Sequence, residues 1–310
     1  MQKSDFIYYL PQERIATHPL SRRDESQLLV FDGTIQDHQF SQLPTLLPES
    51  SQLIFNNTKV IKARLRFTKT EGAKPIEVFC LNPFEQSVEE AMEAKNEIRF
   101  ECMVGNLKRW KDHPLHLKLN EDLTLTANKG ERSGQGFIIS FTWTGKYTFS
   151  EVVNIAGQIP LPPYMNRDAE EEDVERYQTV YASNNGSVAA PTAGLHFTPA
   201  VLQELEQLGH ERLELTLHVG AGTFKPLGEG DISAHEMHAE EIIISRQWLR
   251  NYLKHEGPKF AVGTTSLRTL ESCHWIGVKL ITTGRFENLG QFDAYELDQS
   301  ITADQAYSAL

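Results

Sequence analysis

Ile98-Arg99-Phe100-Glu101-Cys102 alternates apolar and polar side chains, and Met103-Val104 completes the run. Only an extended chain has a side-chain period of two, so this run predicts a strand with one buried face. The same alternation precedes it at residues 63–67 and 76–81. It follows at residues 115–119, 123–126 and 137–143. Gly, Pro, Asn and Asp separate these runs. Half-buried strands punctuated this way predict a closed antiparallel sheet. The reading is an inserted all-β, six-stranded antiparallel barrel at 61–150, with charged residues 85–97 as a loop or short helix between strands.

On either side the text is mixed. Gln27-Leu28-Leu29-Val30-Phe31 reads as a buried strand ended by Asp32-Gly33. Gln52-Leu53-Ile54-Phe55 reads as a second strand, broken by a turn at Asn56-Asn57-Thr58. Ser150 is placed to cap a helix, and Thr198 caps another with Pro199 at its first position and Gly209 at its end. Strands at 213–219, 241–245 and 259–262 alternate with helices at 246–255, capped by Ser245, and at 267–275. Residues 1–60 and 151–310 are therefore expected to form one discontinuous α/β domain around the barrel.

Composition bounds the function. The 310 residues are 40% hydrophobic and 23% charged, the make-up of a soluble globular protein. The start, Met1-Gln2-Lys3-Ser4-Asp5, lacks the form of a secretory signal, and no apolar run suffices to span a bilayer. Cys80, Cys102 and Cys273 form no close metal-binding pair, which points to a reducing compartment. A cytoplasmic monomer without membrane contact is expected. The net charge of −12 argues against non-specific nucleic-acid binding but leaves room for a local basic patch. Lys59, Lys62, Arg64, Arg66 and Lys69 form one candidate. Lys108, Arg109 and Lys111 around Trp110 form another. Either is equally readable as a solvated strand face or loop.

Four stretches carry possible chemistry. Val188-Ala189-Ala190-Pro191-Thr192-Ala193-Gly194-Leu195-His196-Phe197 has too little charge for a surface loop and too many breakers for a regular element. It reads as a ligand-lining turn or as a packed turn with a core histidine. The strand ending in His218-Val219 runs into Gly220-Ala221-Gly222-Thr223-Phe224, where missing side chains let a ligand approach. This is not a dinucleotide fingerprint, because the third glycine is missing. His235-Glu236-Met237-His238-Ala239-Glu240 has the residue types of a metal site without the spacing of a zinc protease, so ligand contacts or structural roles stay open beside metal. Gly263-Thr264-Thr265-Ser266, between a strand and a helix, offers free N–H groups to an anion, with Arg268 in the first turn. Simple capping by Thr265 or Ser266 is the alternative.

Together these segments resemble the S-adenosylmethionine:tRNA ribosyltransferase-isomerases of queuosine synthesis. The resemblance is carried by Tyr9-Leu10-Pro11, Arg23-Asp24, Arg176-Tyr177-Gln178-Thr179-Val180-Tyr181-Ala182, Ala189-Ala190-Pro191-Thr192-Ala193-Gly194-Leu195-His196-Phe197-Thr198, Leu217-His218-Val219-Gly220-Ala221-Gly222-Thr223-Phe224, His235-x-Met237-His238-x-Glu240 and Ala261-Val262-Gly263-Thr264-Thr265-Ser266-x-Arg268. It extends from residue 8 to about residue 278. The family fold is an α/β domain carrying an inserted β-barrel. Members continue into a further helical region, so a C-terminally shortened chain is expected.

The resemblance implies transfer and isomerisation of the ribosyl moiety of S-adenosylmethionine onto 7-aminomethyl-7-deazaguanine in the tRNA anticodon. Epoxyqueuosine-tRNA forms, and adenine and methionine are released. S-adenosylmethionine is then a co-substrate, and no metal is needed. His196, His218 and His238 are the expected proton-transfer residues. Thr192, Gly194, Gly220, Gly222, Thr223, His235, Glu240, Thr264, Thr265 and Arg268 are the expected substrate contacts. Lys59, Lys62, Arg64 and Arg66 are expected to meet tRNA phosphates. The competing readings are a non-catalytic tRNA-binding remnant and, more remotely, a metal-dependent hydrolase.

Overall fold

The computed structural model describes all residues except 69–73, 112, 135, 225–227, 229 and 236. Strands β1 (Gln27–Phe31) and β2 (Ile35–Gln39) form an antiparallel hairpin near the N-terminus. Leu29, Phe31 and Ile35 on it are exposed, so the first run belongs to a separate two-stranded hairpin and is not the buried strand its apolar text suggested. Strand β3 (Gln52–Asn56) is the centre of the α/β part, and all five of its residues are buried. Strand β4 (Thr58–Val60) resumes directly after Asn57, where the sequence suggested only a turn.

All six alternating runs are strands: β5 (Arg64–Phe67), β6 (Ile76–Pro83), β7 (Glu97–Gly105), β8 (Leu115–Lys118), β9 (Thr124–Ser133) and β10 (Gly136–Trp143). Their inward residues, among them Leu65, Val78, Phe100, Leu125 and Phe141, share one core with Phe149, Val152 and Val153 of the helix Phe149–Ala156. Burying each such side chain contributes roughly 1.5–3 kcal/mol. The six-stranded barrel itself needs correction. The sheet is seven-stranded and antiparallel, in the order β11-β5-β6-β7-β10-β9-β8, where β11 is Gly157–Gln158. Among the described residues β8 and β11 remain its two edges, with no ladder closing them. Alternation reports one buried face, and closure depends on strand tilt and stagger, which alternation does not encode. Within 85–97, Val88–Glu93 is helical, capped reciprocally by Ser87 and Glu90. The helix after β10 is capped by Thr148 with Glu151, two residues earlier than Ser150 suggested.

Strand β12 (Asn184–Ser187) pairs in parallel with β4. Strands β13 (Glu211–His218), β14 (Glu241–Ile243) and β15 (Lys259–Ala261) complete a four-stranded sheet in the order β14-β13-β3-β15. β13 and β15 flank β3 in parallel, and β14 runs antiparallel on the edge. Because β3 is central, successive side chains enter opposite layers. Leu53 and Phe55 pack with Val201, Leu202 and Leu205 of the helix Pro199–Gln207. Ile54 packs with Trp248, Leu249, Cys273 and Tyr307 on the other face. Among the described residues no helix is long and apolar enough to cross a membrane.

Candidate active site

The C-terminal ends of the parallel strands feed the turns singled out in the sequence. Where β3 stops pairing, the buried Asn56 side chain takes over. Its Oδ1 accepts from the Thr58 and Leu217 N–H groups (3.2 and 3.0 Å), and its Nδ2 donates to the Leu217 carbonyl (2.9 Å). The segment after β12 is fastened to the end of β13: the Val188 N–H donates to the Val219 carbonyl (2.8 Å), and the Val219 N–H donates to Ser187 Oγ (2.8 Å). That fastening sets the Pro191 turn beside the Gly220 turn. The Gly263 turn joins them, since a Cβ on Gly263 would lie 3.3 Å from the Ala193 Cβ.

These turns enclose a cavity of about 410 Å³. Thr192, Thr223, Thr264 and Thr265 line it together with Pro191, Tyr164 and Tyr177. Gly263 is the N-cap of the helix Thr264–Thr283 and supplies no capping side chain, so the first-turn N–H groups have no side-chain acceptor there. Ligand crevices beyond strand ends are the rule in open α/β sheets.

A polar cluster lies against the same glycine turn: Gly222 approaches His238, and its neighbour Thr223 lines the cavity. His238 Nε2 lies 3.0 Å from Glu240 Oε1, which also accepts from the Gly220 N–H (3.3 Å). Arg268 Nη1 is 3.7 Å from Glu240 Oε2, and its Nη2 donates to the His238 carbonyl (2.6 Å). The glycine turn, the histidine cluster and the helix start therefore converge.

The three histidines do not line this cavity together. The Thr192–His196 turn is a 3₁₀ helix, in which residues four apart point about 120° away from each other. Thr192 faces the cavity, whereas the His196 ring packs 5.4 Å from the Phe40 ring, against the Arg23 backbone, and burial lowers its pKa. His218 is buried, with Nδ1 2.9 Å from Thr58 Oγ1, and burial pushes its pKa down to about 4. A neutral imidazole at pH 7 results. His235 contributes its carbonyl, which accepts from Gln291 Nε2 (2.9 Å). Glu236 lies outside the described residues. Among the described residues no group of three His, Cys, Asp or Glu side chains is disposed to hold a metal ion.

The glycines also serve partners other than the expected ligand. A Cβ on Gly194 would sit 2.0 Å from the Tyr181 hydroxyl, and one on Gly222 would sit 2.6 Å from His238 Cγ. Each marks a close approach, but the approaching group is a side chain of this protein.

The basic residues divide in two. Lys59 and Lys62 line a groove of about 1090 Å³ with Arg23, Gln178 and the acidic Glu171, Glu172 and Glu175. Arg64 and Arg66 both pair with Glu77 (3.7 and 3.4 Å), and Arg66 also pairs with Asp168 (3.0 Å). Lys69 lies outside the described residues. Trp110 is buried and donates to the His113 carbonyl (3.1 Å), so it is no stacking platform between Lys108 and Lys111.

Two residues had no assigned role in the sequence. The Arg23 guanidinium donates to the carbonyls of Gln178 (2.5 Å), Glu175 (2.8 Å) and Leu195 (3.3 Å). The Gln178 amide both accepts from the Val60 N–H (3.0 Å) and donates to the Val60 carbonyl (2.7 Å). Their motifs were visible, but carbonyl acceptors carry no residue identity and so leave no pattern in sequence.

Residues 3–294 match the family described as queuosine biosynthesis protein. The chain belongs to that family. It is 40% identical over 287 residues to the S-adenosylmethionine:tRNA ribosyltransferase-isomerase of Francisella tularensis subsp. novicida (strain U112), covering 88% of this chain and 77% of that protein. It is 38% identical over 278 residues to the enzyme of the same name from Natranaerobius thermophilus, with the same coverage. The crystal structure of an S-adenosylmethionine tRNA ribosyltransferase from Thermotoga maritima is 25% identical, covers 86% of this chain and 71% of its own, and has a TM-score of 0.35.

Proposed function

We propose that this member of the queuosine biosynthesis family is an S-adenosylmethionine:tRNA ribosyltransferase-isomerase. It transfers and isomerises the ribosyl moiety of S-adenosylmethionine onto 7-aminomethyl-7-deazaguanine in tRNA, giving epoxyqueuosine-tRNA, adenine and methionine. The observation that carries this reading is identity of about 40% to enzymes of that name across 88% of the chain. The site chemistry is compatible with it. A cavity of about 410 Å³ falls in the size range of small-molecule sites, and its apolar walls and hydroxyls suit a nucleoside.

In this reading the cavity takes S-adenosylmethionine, with Thr192, Thr223, Thr264 and Thr265 contacting it and Arg268 nearby. The sulfonium acidifies the adjacent carbon and later departs as a neutral thioether. His238, beside the cavity, is the proton-handling residue, and its position supports that role over His196 and His218. Lys59 and Lys62 meet tRNA phosphate along the groove between the antiparallel sheet and the α/β part. We read the inserted sheet domain as running from 61 past 150 to β11 at Gly157–Gln158, and 1–60 with the chain after β11 as the catalytic α/β domain of a cytoplasmic protein. Adenine release from S-adenosylmethionine in the presence of hypomodified tRNA tests the assignment. Tight tRNA binding without adenine release overturns it.

A further inference from the structure

Glu240 is the most enclosed ionisable side chain of the cluster beside the cavity: only 4% of its side chain is exposed, against 29% for His238 and 39% for Arg268. Its oxygens face the protein. Oε1 takes the His238 imidazole (3.0 Å) and the Gly220 N–H (3.3 Å), and Oε2 faces Arg268 (3.7 Å). Two hydrogen bonds occupy Oε1, Oε2 is turned to Arg268, and with only 4% of the side chain exposed the carboxylate offers a ribose hydroxyl or a cationic ligand little access.

The His238 ring is held on two more sides. The Gly222 backbone approaches so closely that a Cβ there would be 2.6 Å from His238 Cγ and 2.9 Å from Nδ1. Arg268 Nη2 fixes the His238 carbonyl at 2.6 Å. A carboxylate only accepts hydrogen bonds, so its contact with Nε2 places the imidazole hydrogen on Nε2. The lone pair of a neutral ring then lies on Nδ1, which has no hydrogen-bond donor among the described residues.

We propose that Glu240 is a positioning residue, which fixes the Nε2–H tautomer and ring orientation of His238 so that Nδ1 is the proton acceptor of the site. This rests on the reading of the cavity as the S-adenosylmethionine site. In the step it serves, a C–H bond beside the sulfonium breaks and an N–H bond forms at His238 Nδ1. The electron pair stays on that carbon. The Nε2 hydrogen remains where it is, bonded to Glu240, which takes no proton. The assignment departs from a ligand-contacting Glu240, and it explains why position 222 is glycine: a side chain there would strike the His238 ring that Glu240 holds.

The test combines spectroscopy with kinetics. In ¹⁵N-histidine-labelled protein above the histidine pKa, His238, assigned by loss of its signals in His238→Gln, should show a protonated Nε2 and an unprotonated Nδ1. Glu240→Ala should lose that preference and lower kcat by about 10- to 100-fold, the range for removal of a partner that orients a working histidine. KM should change less than about threefold, since the ligand is not touched. Glu240→Gln, which keeps an acceptor oxygen, should recover much of the loss and stands in if Glu240→Ala does not fold. An Nδ1–H tautomer in the wild-type protein overturns the proposal, as does a raised KM with unchanged kcat. Should the wild-type protein release no adenine, the reaction assignment fails, and the tautomer measurement still decides the role of Glu240.

Discussion

Thr58 Oγ1 and His218 Nδ1 lie 2.9 Å apart although 160 residues separate them in sequence. Thr58 opens β4 and His218 closes β13, and His218 is 4% exposed. Among the described residues its Nε2 has no hydrogen-bond partner, so the cationic form is poorly accommodated.

Acid should therefore destabilise the fold through this histidine. The His218 pKa is about 4 in the folded protein against an ordinary 6.5, so between those values the unfolded chain binds the extra proton. Stability is full above that window and falls as pH drops through it, by about 3 kcal/mol in total. Urea unfolding at pH 7, 5.5 and 4.5 checks this. His218→Gln should show a flatter profile, with a residual slope in the same direction from His196, whose pKa burial also lowers. Equal slopes in variant and parent would remove His218 as the cause.

Gly194 should not tolerate a methyl group. Its Cβ would stand 2.0 Å from the Tyr181 hydroxyl, and Tyr181 is wedged edge-on against Phe55 and Phe197. Gly194→Ala is expected to cost about 1–3 kcal/mol, the usual penalty for overpacking. Adding Tyr181→Phe removes the clashing oxygen and should recover part of that loss. Denaturation of both single variants and the double variant measures the coupling, and strict additivity would rule out the contact as the cause.

Phosphate binding should divide the four basic residues. Lys59→Glu with Lys62→Glu is expected to weaken tRNA binding and reduce the slope of log K against log salt by about one per lysine. Arg64→Gln and Arg66→Gln should alter that slope less, because Glu77 and Asp168 already engage those guanidiniums. Binding titrations across salt concentrations decide between them. A slope carried by the arginines would move the RNA path to the sheet face.

The histidines should separate in turnover. His238→Ala is expected to lower adenine release by at least about a hundredfold, the low end for a positioned acid or base. His196→Ala should chiefly lower stability, since its ring packs on Phe40 away from the cavity. Single-turnover rates measured beside melting curves would distinguish the two. A folded His196→Ala protein with the larger rate loss would return His196 to the chemistry.

The features legible in residue order were local ones. Six alternating runs became strands because a period of two survives only on an extended backbone with one buried face. Thr198, Pro199 and Ser245 marked helix starts, because capping is a contact between residues three apart. The glycines at 194 and 222 marked close approach. Tertiary structure alone decided what approaches them, Tyr181 in one case and His238 in the other. It alone decided that Gly157–Gln158 joins the sheet, that Arg64 and Arg66 share Glu77, and that His196 faces Phe40. The physical reason is common to all of these. A residue type records what it can do and what its near neighbours permit, whereas the partner of a buried side chain comes from distant sequence, and the packing of the whole core selects it.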